Sequence, residues 1–210
     1  MFFQPIYATI DENDSQLRKD DFAMLQTQRK DLADIITQRR SINSFSDKPV
    51  SEEVIIDLLE TAKWAPDHGV REPWRFILCL DNGKEHLLEA MLAYNSQCKK
   101  PKNPDKIRAK IMGPSAHLLV INNAETNRKK WEENYGAASA LIQNFQLCAW
   151  EQGIGMIWKT GSYIDNDTFK EAMHIDSDET IIGLMQIGYP DQIPEAKPRT
   201  TVLNKITTLK

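Results

Sequence analysis

The chain has 210 residues, of which 41% are hydrophobic and 27% are charged, and its formal net charge is −4 at pH 7. This composition is typical of a globular protein with one main domain and a sizeable core. General nucleic-acid binders gain affinity from a basic surface, so the negative net charge argues against nucleic acid as a partner.

The sequence predicts neither a membrane protein nor a secreted one. No apolar run approaches the roughly 20 residues that cross a bilayer, and the first residues lack the basic and apolar regions of a signal peptide. The cysteines are odd in number and far apart, and none forms a Cys-x-x-Cys motif; they are Cys79, Cys98 and Cys148. Such spacing favours reduced thiols that pack as small hydrophobic residues. We therefore expect a cytoplasmic protein without membrane contact.

The first 29 residues are expected to form an N-terminal extension. Pro5 and the polar residues 11–15 favour irregular structure. The apolar side chains near the start, such as Phe2 and Phe3, favour packing against a partner subunit over disorder. The main domain is expected to occupy residues 30–210.

Two helices are predicted before the first strand. Apolar residues at helical spacing indicate a helix over residues 31–39. Ser51 is a good N-cap, and the acidic Glu52 and Glu53 follow it in the first turn, where the helix dipole favours negative charge. The second helix is therefore predicted to begin there and to run to Trp64, since Pro66 cannot continue it.

Strands and helices alternate along the rest of the chain. Strands are predicted at residues 75–80, 117–122, 154–160 and 180–189. Helices are predicted at residues 84–95, 106–112, 128–152 and 166–173, with an exposed loop or lid at residues 96–105 and a tail from residue 190 with few core residues. Small residues crowd the middle of the longest helix, which favours a central place or a subunit interface. The pattern indicates an α+β or mixed α/β fold, and the short buried strands predict helices on both faces of the sheet.

The end of the first helix is the first candidate site. Arg39, Arg40 and Ser41 place two guanidinium groups and a hydroxyl next to each other. A guanidinium suits phosphate and other anionic oxygens because its planar fork donates in pairs. We infer a phosphorylated ligand here, although solvated cations at a helix C-terminus would give the same pattern.

Two further segments contain candidate residues. His68 lies in a Pro-Asp-His-Gly turn, where it either contacts a ligand or simply closes the turn. Trp158, Lys159 and Thr160 end the third predicted strand and offer a cation, a hydroxyl and backbone donors in one place. The alternative for this strand end is a solvated surface lysine.

Several common site types have no support in the sequence. No Gly-x-Gly-x-x-Gly follows a strand, and no Walker loop or Gly-x-Ser-x-Gly elbow is present. The four histidines are scattered, so we do not expect a metal site. These absences argue against a Rossmann NAD domain, a P-loop nucleotidase and a serine hydrolase.

Taken in order, several segments resemble the nitroreductase family of flavin enzymes from about residue 30 to residue 200. The segments are Arg39-Arg40-Ser41 with Phe45 and Pro49-Val50, Ala65-Pro66 with Pro73-Trp74-Arg75-Phe76, the long small-residue helix with Gln152-Gly153-Ile154-Gly155, Trp158-Lys159-Thr160-Gly161, and Ile187-Gly188-Tyr189-Pro190. Some positions depart from the usual pattern. Asn43 stands where arginine is frequent, and a long lid is absent. The usual serine, asparagine and glutamine are replaced by Asp67, His68 and Glu72. These departures concern the substrate more than the cofactor.

The resemblance implies a nitroreductase-like fold, with a central, mostly antiparallel sheet flanked by helices, and a homodimer that binds FMN at the subunit interface. Ten residues are implied to bind the cofactor: Arg39, Arg40, Ser41, Trp64, His68, Trp158, Lys159, Thr160, Lys197 and Arg199. Among them Arg39, Ser41 and either Lys197 or Arg199 would hold the phosphate, the ribityl chain or the pyrimidine edge. Lys159 would stabilise the reduced flavin, and Trp64 and His68 would reach the flavin from the other subunit.

The resemblance also implies a reaction. Hydride would pass from NAD(P)H through flavin N5 to a nitroaromatic or quinone-like small molecule in a ping-pong mechanism, with no dedicated catalytic side chain. Three alternatives remain at this point. They are a different redox chemistry on a specific metabolite, such as oxidation or dehalogenation, a flavin-binding or sensory role without turnover, and a dimeric interaction module without cofactor.

Overall fold

The structure is a computed structural model that describes residues 31–210. The predicted N-terminal extension, residues 1–29, lies outside the described residues, so its boundary with the main domain stays a prediction. The chain divides into a unit of residues 1–37 and a unit of residues 38–210. The first described element, helix α1 (Leu32–Gln38), lies where a helix was predicted.

Helices and strands alternate from residue 52 onward, close to the predicted order. The elements are α2 (Glu52–Ala62), β1 (Trp74–Cys79), α3 (Asn82–Ser96), α4 (Pro104–Met112), β2 (Ala116–Asn122), α5 (Arg128–Glu151), β3 (Gly155–Lys159), α6 (Asp167–Ala172) and β4 (Thr180–Gly188), with short 3₁₀ helices at Ser162–Asp165 and Val202–Lys205. The predicted elements are all present, with ends that differ by a few residues.

The ends of α2 follow from local chemistry. Ser51 caps its start as predicted, accepting the N–H of Val54 at 3.4 Å. The predicted end at Trp64 is wrong, because the helix closes at Ala62. The N–H of Trp64 bonds back only three residues, to the carbonyl of Thr61, and this tightening ends the regular helix just before Pro66, which has no N–H to extend it.

The strands form one sheet in the order β1-β2-β4-β3. Each neighbouring pair is antiparallel, so Phe76 lies opposite Val120, Leu118 opposite Met185 and Trp158 also opposite Met185. The predicted α+β fold with a mostly antiparallel central sheet is confirmed.

Helices cover both faces of the sheet, as predicted. Leu118 and Val120 point to one face, where α2 and α5 pack against the sheet. Leu119 and Ile121 point to the other face, which α3, α4 and α6 cover. The alternation along β2 therefore separates two cores, as expected when successive side chains of a strand point in opposite directions.

The C-terminal end of α4 is fixed to the sheet by side chains. The last four carbonyl groups of a helix have no partner within it. Here the carbonyl of Lys110 accepts from Gln186 Nε2 at 3.0 Å, that of Ile111 accepts from His117 Nε2 at 2.7 Å, and that of Met112 accepts from Lys84 Nζ at 3.2 Å. The N–H of Gly113 satisfies the fourth carbonyl, so this helix end has a defined position on the sheet.

The tail beyond residue 190 contributes little to the core, as predicted. Its apolar side chains are between 59% and 92% exposed: Val202, Leu203, Ile206 and Leu209. These side chains are therefore open to solvent in the single chain. Within residues 31–210, no helix combines the length and the apolarity that a bilayer crossing requires.

Candidate functional site

The segment that follows α1 runs alongside β3. Ser41 forms a parallel bridge with Met156, and the N–H of Ile42 donates to the carbonyl of Met156 at 3.1 Å. Further along, Phe45 pairs with Pro190 just after β4. These backbone bonds fix the position of the predicted Arg39-Arg40-Ser41 cluster next to the sheet edge.

Two guanidinium groups, those of Arg40 and Arg199, act electrostatically on Arg39 at the start of this segment. Arg39 is half-buried, and burial lowers its pKa, with further lowering from the positive charges of Arg40 and Arg199. Within residues 31–210 no carboxylate forms an ion pair with Arg39. An anion bound among these groups would relieve their repulsion.

Lys159 reaches the same segment from the end of β3. Its ammonium donates to Asn43 Oδ1 at 3.3 Å. Burial lowers the pKa of Lys159, and the nearby charge of Lys110 on α4 lowers it further. The structure therefore brings Lys159 to the segment of Arg39 and Ser41, although 118 positions separate Lys159 from Ser41 in the sequence.

The two neighbours of Lys159 differ in their surroundings. The indole of Trp158 donates from Nε1 to the carbonyl of Ile182 at 3.0 Å and packs on the face covered by α2 and α5. Thr160 is exposed, one residue beyond the strand. The side chain of Trp158 thus packs within the fold, while Thr160 is open to a ligand.

The tail places its two candidate cations differently. Arg199 approaches Arg39, and its Nη1 donates to the carbonyl of Lys197 at 3.5 Å. Both tail residues are exposed. Arg199 therefore interacts electrostatically with Arg39, and which of the two tail residues contacts the phosphate stays a prediction.

Trp64 and His68 lie in the connection between α2 and β1. Trp64 is 84% exposed, and His68 is also exposed. Among the described residues, no hydrogen bond, ion pair or ring contact joins either side chain to Lys159. Within residues 31–210, these two residues are therefore not linked to Lys159 by a direct contact.

The connection around His68 is bound to α5 by contacts that the sequence did not reveal. Arg71 Nη2 forms an ion pair with Glu133 Oε2 at 2.7 Å. The hydrogen bond from Arg71 lowers the pKa of Glu133, and the nearby His68 lowers it further. The paired residues are 62 positions apart, so no local pattern could have identified them.

Two clefts lie on the described part of the chain. One of about 490 Å³ lies between residues 46–53, 80–84 and 112–115, and one of about 510 Å³ lies along residues 167–177. None of the ten candidate residues lines either cleft. The candidate residues therefore lie outside both of these clefts.

Residues 36–189 match the model of the nitroreductase family. The chain belongs to the nitroreductase family. The chain is also 38% identical over 185 residues to YfhC of Bacillus subtilis, provisionally named as an NAD(P)H nitroreductase, and the match covers 85% of this chain and 94% of YfhC. The predicted membership of this oxidoreductase family is confirmed.

Solved nitroreductases share the fold. The crystal structure of a nitroreductase-like family protein from Bacillus cereus has a TM-score of 0.82 and 35% identity, covering 86% of this chain and 97% of the other. The FMN- and NADPH-dependent nitroreductase NfnB of a Sphingopyxis strain has a TM-score of 0.70 at 15% identity, with coverage of 86% and 100%. A more distant sequence relative is iodotyrosine deiodinase 1 of Rattus norvegicus, which is 22% identical over 84% of this chain and 69% of its own length.

Proposed function

We propose that this nitroreductase family member is an FMN-dependent oxidoreductase that uses NAD(P)H to reduce nitroaromatic or quinone-like acceptors. YfhC is named as an NAD(P)H nitroreductase, and NfnB is described as FMN- and NADPH-dependent. These names support the cofactor and the electron donor for this chain. The preference between NADH and NADPH is left to measurement.

The observation on which the proposal most depends is the group of positive charges around Arg39. FMN carries a phosphate dianion, and paired guanidinium donors suit phosphate oxygens. Arg39 is half-buried and close to Arg40 and Arg199. These residues, with the exposed hydroxyl of Ser41 nearby, match the charge and the donors that the phosphate requires. Lys197 remains a second candidate from the tail.

Lys159 suits the other end of the cofactor. Lys159 is half-buried as a residue, and Asn43 holds its ammonium toward the segment of Ser41. A positive charge in partly desolvated surroundings stabilises an anion more strongly than the same charge in water. Lys159 would therefore favour the reduced flavin anion, and Thr160 offers a hydroxyl to the same edge. The indole of Trp158 would support the strand that holds both residues.

A homodimer would complete the site. Trp64 and His68 are exposed and are not joined to Lys159 in one chain, and the tail exposes apolar residues such as Leu203 and Leu209. A second copy that covers these surfaces could bring Trp64 and His68 of one subunit to the cation cluster of the other. The small residues on α5 would permit close approach at such an interface.

When bound, FMN supplies hydride transfer at N5, which links oxidation of NAD(P)H to reduction of an acceptor in a ping-pong sequence. The side chains of this protein bind, orient and tune that group. Arg39 and Arg199 would neutralise the phosphate, Lys159 would offset negative charge on the flavin, and no side chain would need to transfer a proton at a fixed position. We therefore assign no catalytic residue.

Reductive dehalogenation is a second candidate, favoured by the similarity to the rat deiodinase. Both reactions use the same flavin site and differ in the acceptor. A flavin-binding protein without turnover and a cofactor-free dimer are the remaining alternatives. The cytoplasmic location stays a prediction.

The test begins with the absorption spectrum of the purified protein and mass analysis of any released chromophore. We expect a yellow protein that releases FMN and sediments as a dimer. Stopped-flow mixing with NADPH or NADH should bleach the flavin, and a nitroaromatic, a quinone or a halogenated phenol should restore its colour. A colourless protein that does not bind FMN at micromolar concentration would refute the proposal, and recolouring by the halogenated phenol alone would favour dehalogenation.

A further inference from the structure

The connection between α2 and β1 adopts a backbone conformation that its sequence disfavours. Gly69, Val70 and Glu72 have positive φ values of 76°, 51° and 44°. Glycine tolerates this region, but a β-branched valine and a glutamate rarely adopt it. A connection that only joined two elements would not need this strain, whereas strained backbone is concentrated at functional sites where the surroundings impose it.

Two side chains impose the conformation. The carboxylate of Asp67 accepts the N–H of Glu72 at 2.6 Å, which closes the loop on itself. The guanidinium of Arg71 donates to Glu133 on α5 at 2.7 Å, which ties the loop to the long helix. Arg71 and Glu133 keep only 28% and 24% of their side chains exposed, so solvent screens this pair less than a surface pair.

The loop also contains buried polar atoms that the described residues do not satisfy. Within residues 31–210, Asp67 Oδ1 and Arg71 Nε have no hydrogen-bond partner. Native structures pair nearly all such atoms with protein or water. Ordered water, the cofactor, a second subunit or residues outside 31–210 would satisfy these two atoms.

His68 lies between these restraints. It directly follows Asp67, and its charge interacts with Glu133, the residue that Arg71 binds. Val70, on the other side of His68, is 82% exposed, and Trp64 before it is 84% exposed. The restrained loop thus presents an imidazole flanked by two exposed apolar side chains on the surface that the proposed dimer would cover.

We propose that Arg71 is a positioning residue of the flavin site, holding the loop of residues 67–72 against α5 through Glu133 so that His68 meets the cofactor in one orientation. This inference rests on the proposed function and extends it to residues that do not themselves contact the flavin. Without the Arg71–Glu133 pair, the loop relaxes toward negative φ values and His68 loses its fixed place.

The test compares Arg71→Met, Arg71→Lys and Glu133→Gln with a matched control. Arg108→Met removes an arginine from another ion pair, with Glu85 at 3.4 Å, where both side chains are about half exposed. We expect Arg71→Met to raise the Kd for FMN about tenfold. The variant lacks the charged hydrogen bond to Glu133, so the loop no longer holds His68 in one orientation. Glu133→Gln should act similarly, Arg71→Lys should restore part of the affinity, and the control should bind FMN as the wild type does.

Two further readouts separate positioning from general stability. Because relaxation of the strained loop offsets the lost ion pair, the apoprotein of Arg71→Met should melt within about 2 °C of the control. At saturating FMN, the midpoint potential of the flavin bound to Arg71→Met should move toward that of free FMN. The flavin bound to the control should keep the wild-type potential.

The outcomes separate this inference from the proposed function. If the wild type binds FMN and Arg71→Met binds it with the same Kd and potential, the positioning role is wrong and the proposed function stands. If the variant only melts at a lower temperature and its folded fraction binds FMN normally, Arg71 is structural and the inference also fails. A wild type that binds no FMN overturns both.

Discussion

The indole of Trp158 lies directly on Gly183 of the neighbouring strand. A Cβ atom built at position 183 would lie 1.9 Å from Trp158 Nε1, far inside van der Waals contact. The same Nε1 donates to the carbonyl of Ile182 at 3.0 Å. Gly183 therefore provides the space in which Trp158 packs, and this packing holds the strand that ends in Lys159.

Gly183→Ala should destabilise the protein because the rigid indole must move and lose its hydrogen bond. We expect a loss of about 2 to 3 kcal/mol in the free energy of unfolding, measured by urea denaturation. The matched measurement repeats Gly183→Ala in a Trp158→Ala background, where the indole is gone. There the alanine should cost less than about 1 kcal/mol; an unchanged cost would show that Trp158 is not the cause.

His117 should make stability fall in mildly acidic solution. The side chain is fully buried, and burial lowers its pKa to about 4 from an ordinary 6.5. Because the unfolded chain takes up this proton below pH 6.5 and the folded chain does not, stability is full above pH 6.5 and falls as the pH drops toward 4. Between pH 7 and pH 5 the loss should be about 2 kcal/mol.

His117→Gln isolates this effect, since the amide can still donate to Ile111 but cannot take up a proton. Urea unfolding at one fixed protein concentration, at pH 7 and pH 5, measures both proteins. The variant should be less stable at pH 7 but should change less between the two pH values. Equal pH dependence in the variant and the wild type would show that His117 does not titrate on unfolding.

The ion pair between Arg75 and Glu179 should contribute stability above the carboxylate's pKa. Glu179 accepts two hydrogen bonds from Arg75, at 2.6 and 2.5 Å, and the bond from Arg75 lowers the pKa of Glu179 below the ordinary 4.5. The carboxylate side chain is only 10% exposed, but that of Arg75 is 37% exposed, which screens the pair. Glu179→Gln should cost about 1 kcal/mol at pH 7.

The stability difference between the wild type and Glu179→Gln should be present above pH 4.5. It should shrink as the pH falls through the folded pKa of Glu179, because the wild-type carboxylate then becomes protonated and neutral, like the glutamine. Glu85→Gln is the control, since its pair with Arg108 is longer and more exposed. It should change stability by less than about 0.5 kcal/mol. A Glu179→Gln effect that grows on acidification would contradict the assignment.

Arg39→Ala should release FMN. Loss of a half-buried guanidinium that donates to phosphate is typically worth about 1.5 to 3 kcal/mol, so the Kd should rise roughly 10- to 100-fold. Flavin content after dialysis and fluorescence titration measure this. Arg128→Ala, which removes an arginine that is 92% exposed at the start of α5, should keep its flavin; full occupancy in Arg39→Ala would refute the phosphate assignment.

The apolar tail should stabilise the dimer. Leu203→Glu combined with Leu209→Glu places charges at side chains that are 76% and 92% exposed in one chain, where burial by a partner would be costly. Sedimentation velocity should show a shift toward monomer and loss of flavin. The control, Thr207→Glu with Thr208→Glu, adds the same charge without removing apolar surface and should stay dimeric. A dimer unaffected by both pairs of substitutions would exclude the tail from the interface.

The sequence by itself determined the elements and the family. Short continuous apolar runs specified the strands, Ser51 specified a helix start, and the order of short motifs indicated the nitroreductase fold. These signals depend on neighbours within a few residues. The choice of Arg39, Ser41 and Lys159 as candidates also came from local chemistry.

Only the tertiary structure decided which distant residues meet. The pairing of Ser41 with Met156 brings Lys159 to the Arg39 segment. Arg71 forms its ion pair with Glu133 on α5, which is 62 positions away in the sequence. It also showed that the Trp158 indole packs on Gly183 and that the charge of Arg199 acts on Arg39. Such contacts depend on strand register and on the packing of helices against the sheet, which are properties of the whole folded chain that no local stretch of sequence contains.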